Sequence, residues 1–300
     1  MTEEPLVLAS VYGSLTRAAC DERAFVLNAV GIASVIEFDG FNHQLAVRVG
    51  DVPAATAHLS AYDAERRAAR ALLRVPAPAA RVYSIPWLGT VFYVLILLGV
   101  ARAISGGWWP PQAFDNGVLD AAAVRSGQWW RAWTALTLHW DGAHLMANLG
   151  GGLWFGTLAA RQLGNGWAWL MIVTAAAAAN LLDAHLGPAW YRSAGASTAV
   201  FAALGLMAAH AWRTRYFLPQ RRVLRWAPLV AGVILLGWFG SAGEGTDLVA
   251  HAMGFTLGGV LGGAAAVPAV DALLNRVPQW ISGFLALASL AVAWTLALAR

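Results

Sequence analysis

The chain has 300 residues, of which 59% are hydrophobic and only 12% charged, against about 25% charged residues in an ordinary soluble domain. That balance excludes a simple soluble enzyme and points to an integral membrane protein. The formal charge of +4 is not a nucleic-acid signal, because all twenty basic residues are Arg and they cluster beside apolar segments.

Residues 1–75 read as soluble. Leu6 to Tyr12 alternates as a strand does, and Thr16 to Val30 has the apolar spacing of a helix. Ala33 to Phe38 and Gln44 to Val49 read as two strands about a turn at Asp39-Gly40. Asp51 to Arg70 reads as a helix, with Asp51 as cap and Pro53 in its first turn. The order βαββα predicts a small α+β domain. Residues 76–86, with Pro76 and Pro78, read as a linker. Met1 to Pro5 lack the basic and apolar regions of a signal peptide, and the lone Cys20 excludes an intramolecular disulfide.

Seven apolar segments follow: Ser84–Ala101, Ala143–Ala160, Trp167–Leu182, Ser197–Trp212, Ala227–Phe239, Leu248–Val267 and Trp280–Leu298. A span needs about 20 apolar residues. The expectation is an all-α polytopic bundle of seven spans: a six-span core over 87–267 and an additional C-terminal helix in 268–300. If the N-terminus is inside, twelve Arg of the span-flanking segments lie inside and five outside. The positive-inside rule then predicts a cytoplasmic N-terminus.

Polar residues deep in a span are costly and are functional candidates by default. Three groups stand out: His139, His144 and Asn148 at the entrance to the second span, Ser197 at the start of the fourth, and His251 near the start of the sixth. All three spans run in the same direction, so the groups share one depth in the outer part of the bilayer. His144 and Asn148 are four apart and share a helix face. Gly254 and Gly258 share the face of His251, and small faces let helices approach closely; Gly195 allows the backbone to bend before Ser197. A serine hydroxyl needs an adjacent base, most often histidine. Its tetrahedral intermediate needs fixed donors, which His144, Asn148 and the Ser197 N–H could supply. Each residue alone also has a bland reading: Ser197 bonded to its own backbone, Asn148 joining two helices, His139 at the interface, Asp247 as a helix cap, or a histidine as a haem ligand.

At these residues the sequence resembles the rhomboid intramembrane proteases. His139-x4-His144-x3-Asn148 is similar to the family's second-span motif, Gly195-Ala196-Ser197 to its nucleophile motif, and His251-x2-Gly254-x3-Gly258 to its sixth-span motif. Trp130-Arg131 is similar to the pair in its first outer loop. The resemblance implies a Ser197 nucleophile, a His251 base, oxyanion donors on His144 and Asn148, and Phe201 packed on the catalytic histidine. It implies no metal and no cofactor, and as partners transmembrane protein substrates and the lipid bilayer, with residence in the bacterial inner membrane. One departure is Thr198, where the family often has Gly. The rival readings are a catalytically silent rhomboid-like protein that binds membrane-protein clients, and a haem-binding electron carrier.

Overall fold

In the computed structural model, residues 7–74, 83, 85–216, 222–240 and 247–300 are described. The chain divides into two compact units, Met1–Pro76 and Ala77–Arg300.

The first unit is a three-stranded antiparallel sheet with two helices. Its elements are β1 (Leu8–Ser14), α1 (Arg17–Ala29), β2 (Ser34–Phe38), β3 (His43–Arg48) and α2 (Val52–Arg74). The central strand is β3, between β1 and β2. Leu45 and Val47 of β3 are fully buried with Leu27 of α1 and with Ala55 and Leu59 of α2. The β2–β3 turn is fixed by Asp39, whose Oδ1 accepts from the N–H groups of Phe41 (2.8 Å) and Asn42 (2.7 Å). Gly40 in that turn stands at φ 98°, where a side chain would be strained. Arg23 of α1 pairs with Asp63 of α2 at 2.6 Å. Most of the segment read as a linker lies outside the described residues.

Among its described residues the second unit is helical apart from one two-residue ladder. After α3 (Leu88–Ser105) comes a loop built from short pieces: α4 (Ala113–Gly117), β4 (Leu119–Asp120), α5 (Ala121–Arg125) and α6 (Arg131–Thr134). Then come α7 (Gly142–Gly151), a π-helical turn at Gly152–Gly156, α8 (Thr157–Leu163), α9 (Asn165–Leu186), β5 (Arg192–Ser193), α10 (Ser197–Tyr216), α11 (Arg222–Gly240), α12 (Leu248–Ala265), α13 (Pro268–Leu274) and α14 (Gln279–Leu298). Among the described residues, four helices are long and apolar enough to cross a membrane: α3, α9, α12 and α14. The other three expected spans also form helices, with features that weaken them as spans. The second is divided by the π turn, α10 carries Thr198, His210 and Arg213, and α11 holds a shorter apolar run, Leu224–Trp238, with Pro228 inside the helix.

The core of this unit is where α9, α10 and α12 meet. Ala175, Ala176, Ala202, Ala203, Leu204 and Leu206 are buried there. The α10–α12 contact is made by backbone. A Cβ at Gly258 would sit 2.1 Å from the Ala202 carbonyl oxygen, and one at Gly262 2.1 Å from that of Leu206. Without a hydrophobic drive between helices in lipid, small residues set how closely they pack.

Candidate active site

The site is assembled at one end of the α7, α10 and α12 helices. Asp141 caps α7, its Oδ1 accepting from the His144 N–H at 2.8 Å. That cap fixes the register in which His144 and Asn148 fall one turn apart. Asn148 is buried, and its Nδ2 has no acceptor among the described residues. Its backbone carbonyl is held by the Tyr93 hydroxyl of α3 at 2.7 Å. This contact lies beside the π turn, where Gly152 leaves room for the Tyr93 ring: a Cβ there would be 2.3 Å from it. Such turns recur at functional sites.

The strand leading into α10 is tied on both sides. The Gly195 N–H donates to the Ala135 carbonyl at 3.0 Å. The Ala196 N–H donates to His139 Nε2 at 3.3 Å. The His139 and His144 rings meet edge to face, 5.1 Å apart. Gly195 is needed for its missing side chain. A Cβ there would lie 2.7 Å from His144 Cε1, 2.8 Å from His144 Nε2 and 3.5 Å from Ser197 Oγ. The imidazole of His144 and the hydroxyl of Ser197 therefore border one small space beside the N-terminus of α10, where helix N–H groups favour negative charge.

His251 lies on α12, buried, one turn after Asp247 caps that helix through the Ala250 N–H at 2.9 Å. Its ring rests on Phe201 of α10, centroid to centroid 4.5 Å. Phe201 is four residues after Ser197 and so on the same helix face. Gly254, three residues after His251, meets Thr198: a Cβ there would be 2.5 Å from the Thr198 carbonyl oxygen and 3.1 Å from its methyl. The structure thus brings His251 against the first turn of α10. It also accounts for Thr198, whose methyl is received by the glycine on α12.

A rhomboid domain model matches residues 126–267. A stretch of 156 residues is 33% identical to the rhomboid protease GluP of Bacillus subtilis strain 168, covering 51% of this chain and 28% of that protein. Residues 126–267 are thus similar to a rhomboid domain. The chain is an integral membrane protein, and it spans well under a third of the length of that curated relative.

Trp130 and Arg131 lie in the loop between α3 and α7, both buried. Arg131 Nη1 donates to the carbonyls of Asp115 and Val118, each at 2.7 Å, and Nε donates to Gln128 at 2.8 Å. Arg131 therefore folds the loop on itself rather than facing the site. The loop is further held by Thr134 to the Gly117 carbonyl, by Asn180 of α9 to the Ala132 carbonyl, and by pairing of β4 with β5, two residues before Gly195.

Sequence reasoning missed several supports. Tyr93 carries no mark in the sequence beyond its apolar span, whereas Asp141, at the start of a helix, is a capping signal. Tyr191 donates to Asp247, tying the loop before α10 to the start of α12. Trp294 Nε1 of α14 donates to Thr137 Oγ1 at 3.0 Å, two residues before His139.

Proposed function

We propose that this chain is an intramembrane serine endopeptidase that cleaves membrane proteins within or near their spans. Ser197 is the nucleophile and His251 its base. The observation that carries this reading is the close approach around Gly195, which leaves Ser197 Oγ and His144 Nε2 bordering one space. His251 takes the proton of Ser197 as Oγ attacks the substrate carbonyl. The oxyanion is received by His144, by the unmatched Asn148 Nδ2 and by the Ser197 N–H. His251 then returns its proton to the leaving amine, and water releases the acyl group from Ser197 by the same route in reverse.

In this reading the helices α3, α7–α8, α9, α10, α11, α12 and α14 are seven spans of a bacterial inner membrane protein, the N-terminus is cytoplasmic, and residues 1–75 form a separate domain. The relative's name as a protease supports the activity. The test is labelling of the full chain by a serine-directed fluorophosphonate, with turnover of a single-span substrate measured in parallel. Ser197→Ala is expected to lose both, and His251→Ala to lose turnover. Combining the two should be no worse than either alone, because the pair acts as a unit. Labelling of wild type that persists in Ser197→Ala would remove the nucleophile assignment and favour the catalytically silent reading.

A further inference from the structure

A large cavity of the helical unit lies away from the Ser197 site. It is a cleft of about 510 Å³ between α3 and α14, floored by α9. Leu88 and Phe92 stand on one rim and Phe284 and Leu287 on the other, all partly open to the outside. Trp169 forms the floor and stacks on Tyr93 with centroids 5.0 Å apart. Both rim helices are among those long and apolar enough to cross a membrane, so the mouth between them opens onto hydrocarbon.

Among the described residues no charged side chain lines the cleft, and its amide and hydroxyl side chains are matched within the protein; the Trp169 indole N–H is buried without a partner. Asn165 accepts from the Gly89 N–H and donates to the Ile85 carbonyl. Gln279 accepts from the Gly166 N–H and donates to the Leu163 carbonyl. Thr137 is bonded to Thr134 and Trp294. A polar ligand would find a single indole N–H to bond, whereas an empty apolar space of this size forfeits dispersion contacts along its whole wall.

Size narrows the occupant. A cavity of about 150 Å³ holds one benzene ring, so this one holds about twenty carbon atoms. Along α14 it runs from Gln279 to Leu290, about 16 Å at 1.5 Å per residue. One leaflet of a bilayer's hydrocarbon core is about 15 Å deep. Volume and length together are those of one fatty acyl chain lying parallel to the spans. We infer that the α3–α14 cleft is a binding site for a single lipid acyl chain from the leaflet on the Gln279 side. The chain lies along Trp169 and Phe284, and its headgroup stays outside the cleft. Packed there, it braces the Trp169–Tyr93 stack that holds the Asn148 carbonyl.

The test uses the full chain in nanodiscs of phosphatidylethanolamine and phosphatidylglycerol, doped with phosphatidylcholine carrying a diazirine midway along one acyl chain. After photolysis, adducts are mapped by peptide mass spectrometry. Adducts at Phe92, Trp169, Phe284 and Leu287 are expected to exceed those at the exposed helix positions Val233, Val260 and Val292 by about tenfold, equivalent to about 1.4 kcal/mol of preferential occupancy. Gly283→Phe projects into the cleft from a position whose Cβ would meet only Gly166, at 3.6 Å, and is expected to bring the excess down to the control level. Leu287→Trp at the mouth should do the same and keeps the test alive if the first variant does not fold. Labelling of the cleft no stronger than the controls, or an excess that survives both substitutions, would overturn the inference. The readout needs no proteolysis, so it fails or succeeds independently of the Ser197–His251 reading.

Discussion

Two helix pairs in this protein solve the same packing problem in opposite ways. Between α10 and α12, glycines at 254, 258 and 262 bring backbone onto backbone, with no room for a methyl group. Between α3 and α14 the helices stand apart around a cleft of about 510 Å³, and Gly283 has only ordinary contact nearby. Lipid gives no hydrophobic reason for helices to close on each other, so side-chain size sets the spacing. The tight seam carries Ser197 on one helix and His251 on the other. A displacement of about 1 Å can cost catalysis about a hundredfold, and backbone contact is the least compressible way to hold two helices. The loose seam lies behind the site, where a mobile filler suffices.

The sharpest way to break this contrast is Gly258→Val. The added carbons collide with the Ala202 carbonyl oxygen, which no rotamer change relieves. The cost should reach or exceed the roughly 1–3 kcal/mol typical of overpacking, with loss of fluorophosphonate labelling and a marked fall in Tm. Wild-type labelling and Tm in this variant would show that the seam is not what seats His251.

Asn148→Ala separates chemistry from packing at the same end of the bundle. If Nδ2 serves the oxyanion, kcat should fall about 10²–10³-fold while covalent labelling persists. A merely structural hydrogen bond between membrane helices averages about 0.6 kcal/mol, and would show as a lower Tm with near-normal kcat. Smaller again is Trp294→Phe, which removes the donor to Thr137 and should cost about 1 kcal/mol, read as a modest fall in Tm with labelling retained.

At the bottom of the scale, Gly283→Ala on the loose seam and Gly263→Ala on the outer face of α12, where a Cβ meets nothing within 4 Å, should be neutral or gain up to about 1 kcal/mol from helix propensity. Thermal melts of the three glycine variants then rank the seams directly. A Gly283→Ala variant as damaged as Gly258→Val would erase the distinction between them.

What could be read in the sequence was local or periodic. The strands and helices of the first unit fall within a few residues of the observed ones, because alternation, 3.6-residue spacing and the Asp39-Gly40 turn are properties of neighbouring residues. The long apolar helices were legible for the same reason, and the family resemblance through short motifs around His144, Ser197 and His251. Span number was not fully legible, since the π turn and polar residues in α10 blur what composition counts as a span.

Other features were decided only by tertiary structure, and they share one cause. Tyr93 holds Asn148 across 55 residues, Trp294 holds Thr137 across 157, and Arg131 closes the outer loop on carbonyls 13 and 16 residues away. Each partner is chosen by where the helices come to rest, and a backbone carbonyl carries no mark in the sequence that it will be needed. The glycine faces of α12 and the rims of the open cleft are alike as composition; only the packed helices decide which small residues meet a neighbour's backbone and which face lipid.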